Sequence, residues 1–169
     1  MESPDPHAEL PVPQRTADPE EAVAVRDAQR IAERIGQDEA AADEARQRYR
    51  SELLPLLTPD ERVRPWLREG EVVHATREHA LLEGAPDSDE PARDGGLYLT
   101  NQRLLHVDAR PHLGQWALEE FEEMVAALER LLLVRPRDGS DLVLETDGPR
   151  RLRVELATAV RTARGATAG

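Results

Sequence analysis

The sequence contains no cysteine and no lysine, and both absences restrict what the protein can do. Without cysteine it has no disulfides, no thiolate metal ligands and no cysteine nucleophile. All 22 basic residues are arginine, whose guanidinium group suits phosphate or carboxylate recognition, although a GC-rich genome explains the same bias. No apolar run approaches the ~20 residues of a membrane-spanning helix.

The chain also has too few positive charges to balance its negative ones: 34 acidic residues outnumber the 22 basic ones and give a net charge of −12. Nucleic acids and anionic lipid surfaces are bound by clustered positive side chains, so we expect no nucleic-acid partner, and peripheral membrane contact is disfavoured. The start of the sequence, MESPDPHAEL, lacks the basic and apolar regions of a signal peptide. The sequence therefore predicts a cytoplasmic protein without a transmembrane segment.

Composition divides the chain into an extension and a compact domain. Residues 1–17 contain four prolines and are expected to form a disordered arm. Helices are predicted over 18–54 and, after a proline, over 58–66. The compact domain is predicted over 70–164, and residues 165–169 are expected to be a flexible tail.

The long predicted helix begins with Asp18 as N-cap and Pro19 at its first position. Its apolar seam has heptad spacing but consists mostly of alanine and includes one aspartate, unlike a strong coiled coil. Two interpretations stay open: a helix that lies on its own domain or partly free in solvent, and a helix that self-associates. The seam comprises Ala24, Ala28, Ile31, Ile35, Asp38, Ala42, Ala45 and Tyr49.

From residue 71 the pattern changes to short alternating segments separated by turn residues. It predicts about seven strands in a small antiparallel barrel or sandwich, closed by a short helix at ELATAVRTARG that stops at Gly165. The segment EEFEEM is interpreted as a polar helical turn or corner. The predicted strands are EVVHATREHALLE, LYLT, RLLHVDA, QWALE, the second half of VAALERLLLVRP, DLVLETD and RRLRVEL.

The stretch GGLYLTNQRLLHVDA, residues 95–109, contains the most specific motif. Its Thr-Asn-x-Arg-Leu corner between two apolar strands resembles the second and third strands of the PH-like superfamily, most closely the GRAM and bacterial PH-like group. The resemblance covers residues 70–164 and includes Gly-Glu-x-Val at its start. The matching hairpin residues are Gly96, Leu97, Tyr98, Leu99, Thr100, Asn101, Arg103, Leu104 and Leu105.

This resemblance implies a mainly β fold: a seven-stranded, strongly bent barrel with a C-terminal helix plugging one end. It also implies a non-enzymatic role in binding lipids or proteins, or in assembly. The corner itself is interpreted as structural, with Asn101 tolerating positive φ and Arg103 bonding turn carbonyls or lying along the neighbouring strand. Phosphoinositide binding is disfavoured because residues 83–95, the loop between the first two strands, carry a net charge of −4.

No catalytic, cofactor or metal site is predicted. His74 and His79 are five residues apart on one strand and point to opposite faces, and no Gly-x-Ser-x-Gly or phosphate-binding glycine loop occurs.

The sequence instead predicts a module for interaction with an unidentified protein or with itself, whose N-terminal helix is an oligomerisation or regulatory element. The alternative is a barrel that binds membrane lipid or a small apolar ligand. The candidate interaction residues are Ile31, Ile35, Tyr49, Arg150, Arg151 and Arg153.

Overall fold

The structure, a computed structural model, describes residues 18–84, 89–110, 112–135 and 141–168. The predicted arm at 1–17 lies outside these residues, as does part of the acidic loop. Over the described residues the chain forms one seven-stranded antiparallel sheet and two α-helices. In chain order these are α1 (Pro19–Arg48), β1 (Val73–Leu82), β2 (Arg93–Thr100), β3 (Arg103–Asp108), β4 (Leu113–Ala117), β5 (Glu123–Ala127), β6 (Arg130–Val134), β7 (Leu142–Thr146) and α2 (Pro149–Thr167).

Strand β1 joins the two halves of the sheet, whose order is β4-β3-β2-β1-β7-β6-β5. It pairs with β2 from Val73 to Leu82, but with β7 only over Ala80–Leu82. The β1–β2 register shifts between Arg77 and Ala80, where the pairing with β7 begins. Since such irregularities bend a strand, β1 turns here from one half of the sheet into the other.

Helix α2 closes the sheet by packing on β5, on β6 and on the short 3₁₀ turn that follows β4. Because β4 and β5 are the two edges of the sheet, the helix connects its opposite ends. Leu152 and Leu156 of α2 are fully buried in the main core, together with Phe121, Leu131 and Leu144. The predicted fold class is confirmed: a mainly β domain of seven strands with a C-terminal helix, preceded by a long helix.

One predicted strand, RRLRVEL, is wrong, because it forms the first turns of α2. Pro149 occupies the first helical position, and Leu152, Leu156 and Ala159 are buried at helical spacing. The alternation that suggested a strand is ambiguous, since Leu152 and Leu156 share a face in a helix as well. α2 also continues past Gly165, its predicted stop.

The strand that replaces it is β5, which begins at the end of EEFEEM, where a polar helical turn or corner was predicted, and continues through the first half of VAALERLLLVRP, where no strand was predicted. Only Leu118–Glu120 form a 3₁₀ turn there. β5 pairs with β6 in a tight hairpin whose turn residue Leu128 has a φ of 53°. β5 alternates exposed and half-buried residues because it is an edge strand, so its apolar signal in the sequence is weak.

Strand β2 begins earlier than the sequence predicted, so the acidic loop is shorter than residues 83–95. The β1–β2 ladder extends to the pair of Leu82 with Arg93, and Asp94 pairs with Leu81. The two glycines that indicated a loop lie inside the strand. Gly95 is required there because a Cβ would lie 2.4 Å from the carbonyl oxygen of Val107.

The long helix ends at Arg48, six residues before its predicted end at residue 54. Tyr49 and Leu54 are both buried, so the chain turns into the core and then runs beside β1, where the Leu57 amide donates to the Val73 carbonyl at 2.8 Å. The predicted helix over 58–66 is also wrong. Only Arg64–Trp66 form a 3₁₀ turn, because the Asp60 carboxylate accepts the Val63 amide and closes the preceding turn.

Residues 58–67 cover the outer face of the β2–β3 hairpin. Val63 packs there against Tyr98 and Leu105 in a second, smaller core. The Tyr98 hydroxyl donates to Asp60 at 2.6 Å, and burial together with this carboxylate raises the pKa of Tyr98 well above its ordinary value. Both faces of the signature hairpin are therefore covered by protein.

His106 is the buried histidine of β3 and is 2% exposed. Its Nε2 lies 2.8 Å from the Ala80 carbonyl oxygen, so the neutral ring donates its proton to β1. Burial lowers the pKa of His106 below its ordinary value of 6.5, against the smaller opposing effect of that hydrogen bond.

We expect His106 to make the protein less stable in mild acid. Below about pH 6.5 an unfolded His106 takes up a proton that the folded ring does not, so the free energy of unfolding falls. His106→Gln keeps a donor but cannot titrate, so its melting temperature should depend less on pH between about 7.5 and 5.5. His79→Gln, at an exposed histidine, is the control. An equal change of the melting temperature with pH in wild type and in His106→Gln would contradict this role.

Candidate functional site

The Thr100–Arg103 corner closes around Glu71, the residue after the glycine that begins the compact domain. Arg103 is 4% exposed, and its Nε and Nη2 lie 2.9 and 3.0 Å from the two carboxylate oxygens of Glu71. The Thr100 hydroxyl also lies 2.7 Å from Glu71. Burial alone would raise the pKa of Glu71, but hydrogen bonds from Arg103, the Arg68 amide and Thr100 lower it overall.

The same corner is tied to the start of β1 by Asn101. Its amide side chain accepts the Val72 amide at 3.0 Å and donates to the Gly70 carbonyl at 3.3 Å. Among the described residues Leu128 is the one non-glycine with positive φ, so the predicted positive φ at Asn101 is wrong. Asn101 is required for its side-chain bonds rather than for its backbone.

The Glu71–Arg103 ion pair was missed by the sequence analysis. The sequence does contain its signal, since a buried arginine in a strand needs a carboxylate and the matched Gly-Glu motif supplies one. Arg103 also donates to the Trp66 carbonyl at 2.6 Å and to the Gln115 side chain. Every strong bond of the corner is thus made within the protein, which leaves it a structural element.

Asp38, the charged residue in the seam of α1, caps α2. Its two carboxylate oxygens accept the backbone amides of Arg150 and Arg151 at 2.8 and 3.1 Å. The residue at the N-cap of α2 is Gly148, which has no side chain to do this and has a φ of 61°. The first-turn amides of α2 are therefore satisfied by a residue from another helix.

Together with this cap, packing holds the second half of α1 against the compact domain of the same chain. Ala42, Ala45 and Tyr49 are buried in the main core, and α1 packs directly on α2. The first half of α1 differs, because no residue of this helix before Asp38 is buried. Before it, Val23 and Val25 are 54% and 52% exposed.

Two of the three predicted basic residues are bound to carboxylates. Arg150 lies 3.6 Å from Asp38 and donates to the Leu128 carbonyl at 2.9 Å. Arg151 lies 3.0 Å from Glu155, which is buried. Arg153, in contrast, has no ion pair among the described residues and faces a cleft between α1 and α2.

A groove of about 570 Å³ separates α1 from the first half of β1. Four of the six candidate interaction residues line it: Ile35, Tyr49, Arg150 and Arg151. Ile31 lies outside it, on the exposed half of α1, and Arg153 lies beyond Tyr49.

Most of the charged side chains that line the groove are paired, as for Arg77 with Glu155 at 3.3 Å, whereas the exposed Asp147 has no ion pair within the described ranges. His74 is the histidine in the groove, and its Nδ1 is bonded to the Pro55 carbonyl at 2.8 Å. The groove therefore offers a surface for contact rather than a reactive pair of groups.

Within residues 18–84, 89–110, 112–135 and 141–168, no three metal-ligating side chains come together. In the same residues no helix is long and apolar enough to cross a membrane.

Neither a protein-family model nor a curated protein matches the chain. Solved structures that are similar include the Vps36 N-terminal PH domain, with 20% identity and a TM-score of 0.47 over 61% of this chain and 86% of that one. The C-terminal domain of an unknown protein from Leishmania infantum has 11% identity and a TM-score of 0.46, over 54% and 86%. The hSac2 domain from human phosphoinositide phosphatase Sac2 has 18% identity and a TM-score of 0.39, over 62% and 78%.

Removing the charge of Glu71 should strongly destabilise the fold. Glu71→Gln leaves Arg103 buried without a counter-charge, so the free energy of unfolding in urea should fall by about 3–5 kcal/mol. Replacing both residues by methionine should restore part of that loss, because neither charge is then buried alone. Glu119→Gln, at an exposed carboxylate, should change stability by less than about 0.5 kcal/mol. Equal effects of the two single substitutions would refute the role of the pair.

Removing the cap from α2 should have a smaller and more local effect. Asp38→Ala leaves two first-turn amides without an acceptor, so we expect a loss of about 1–2 kcal/mol in urea unfolding. Amide exchange at Arg150 and Arg151 should become faster. Asp43→Ala, which removes an exposed carboxylate one turn along α1, is the matched control. If both variants unfold at the same urea concentration, Asp38 does not hold the two helices together.

Proposed function

We propose that this chain is a cytoplasmic, non-enzymatic module of the PH-like class, related to the GRAM and bacterial PH-like group, that associates with a second copy of itself through the first half of α1. The strand order, the closing helix and the Glu71-anchored hairpin support the class. The exposed first half of α1 supports the association.

The uncovered seam of α1 is the observation on which this proposal depends. α2 begins opposite Asp38 and runs beside α1 towards Tyr49, so it covers only the later part of the seam. The same heptad face continues towards the N-terminus through Ala24, Ala28 and Ile31, where no helix of the described part of the chain lies beside it. Isolated helices of ~12–15 residues are marginal in water, and most helices are stabilised by packing on a neighbour.

A second helix placed on this face would complete the packing that α2 begins. Ala24 and Ala28 of the seam are small, which lets two helices approach closely. Ile31 and the exposed Val23 and Val25 add apolar surface beside them. Asp38 marks the end of the free face because its carboxylate is already bound to α2. The second half of α1 thereby anchors the helix while the first half extends for association.

We expect the full chain to form a dimer whose mass by light scattering rises with concentration towards twice 18.9 kDa. Ile31→Glu places a charge in the seam and should weaken association at least tenfold, which corresponds to about 1.4 kcal/mol. Gln29→Glu introduces the same charge on the opposite face of α1 and should leave the mass unchanged. Circular dichroism of each variant monitors the helix itself.

Two results would contradict the proposal. One is a full chain that remains monomeric at every concentration up to several hundred micromolar. The other is an equal loss of association in Ile31→Glu and Gln29→Glu, which would assign the effect to net charge instead of the seam.

A further inference from the structure

Four of the eight described residues that line a cleft between the end of α1 and the exposed side of α2 are arginines. We call this the arginine cleft; its volume is about 570 Å³, within the ~300–1,000 Å³ range of small-molecule pockets. It is separate from the groove beside β1, with the ring of Tyr49 between them. The lining residues are Arg46, Tyr49, Arg50, Arg153, Val154, Ala157, Thr158 and Arg161.

None of the described residues that line the cleft is a carboxylate, although the chain as a whole has a net charge of −12. Glu39 and Asp43 line the adjoining cleft that shares Arg46 and Arg153. Arg46 is paired with Asp43 on the exposed side of α1. Arg50, Arg153 and Arg161 have no ion pair within the part of the chain that the structure describes. This differs from the neighbouring Arg150 and Arg151, whose charges are balanced by Asp38 and Glu155.

The two helices place these guanidinium groups around one space. Arg153, Ala157 and Arg161 are spaced four residues apart and share a face of α2, so the small side chain of Ala157 leaves room between the two arginines. Arg46 and Arg50 approach from the end of α1, which the Asp38 cap fixes beside α2. The buried ring of Tyr49 forms a fixed wall.

Such an arrangement is unfavourable when empty and suited to a multivalent anion. Like charges in one cleft repel one another, and a bound anion removes that repulsion. Guanidinium groups bind phosphate and carboxylate oxygens through paired hydrogen bonds. A single carboxylate would balance only one of the arginines, whereas a phosphate group offers several acceptor oxygens and up to two charges.

We propose that the arginine cleft binds a soluble small molecule that carries phosphate groups with two or more negative charges. The net charge of −12 opposes approach to an anionic membrane surface, so the ligand is assigned to solution. This site does not depend on association through the first half of α1. The arginine cleft and the association face lie on different parts of α1, so the experiment on one does not decide the other.

Inorganic pyrophosphate is the probe, added to the full chain at physiological salt without divalent cations. We expect titration calorimetry to show saturable binding, and about 10 mM pyrophosphate to raise the melting temperature by at least ~3 °C more than sodium chloride of the same ionic strength. The double variant Arg153→Gln/Arg161→Gln should bind at least tenfold more weakly. The double variant Arg26→Gln/Arg110→Gln removes the same net charge at exposed arginines outside the cleft and should change affinity less than twofold.

Vesicles of phosphatidylcholine with phosphatidic acid distinguish the two sources of phosphate. We expect no flotation of the protein with them. Flotation without pyrophosphate binding would overturn the assignment to a soluble ligand, and absence of both would overturn the site. Equal losses of pyrophosphate affinity in the two double variants would show that binding depends only on the net charge of the protein. Ile31→Glu should retain full pyrophosphate affinity. Loss of self-association would therefore not affect the test of the arginine cleft.

Discussion

The contact between the Asp38 carboxylate and the first turn of α2 determines how the rest of this protein is arranged. It fixes where the two helices meet and the direction in which α2 runs along α1. From that single point follow a covered half of α1, an uncovered half, and the alignment of arginines from both helices around one cleft. The proposed association face and the arginine cleft therefore both depend on Asp38, although neither proposal has Asp38 contact the partner or the ligand.

The sheet has its own anchor, which is independent of the helices. Glu71, Thr100 and Arg103 form a buried, fully bonded network at one end of the β2–β3 hairpin, and Asp60 bonds Tyr98 on its outer face. These contacts join residues 58–71 to the hairpin, so the segment before the first strand is part of the packed domain. A motif that looks like a polar site in the sequence is thus bonded within the protein.

The sequence was informative where a signal is local. The hairpin motif and the alternating strands indicated the fold class, and Asp18 with Pro19 marked the start of α1 correctly. It misled at RRLRVEL, because Leu152 and Leu156 fit both a strand and a helix. The role of Asp38 and the arginine cleft could not be predicted, since they depend on the relative placement of two helices that lie about a hundred residues apart in the chain.

The absence of a side chain at Gly148 has a consequence for how the molecule is made. The first amides of α2 have their acceptor on a residue 112 positions earlier in the chain, so this helix cannot be capped by its own neighbours. Asp38 is therefore synthesised long before its partners, and the contact cannot form until nearly the whole chain has been made. Because α2 also packs on both edges of the sheet, the same helix joins the two ends of the sheet and holds α1 in place through contacts of long sequence separation.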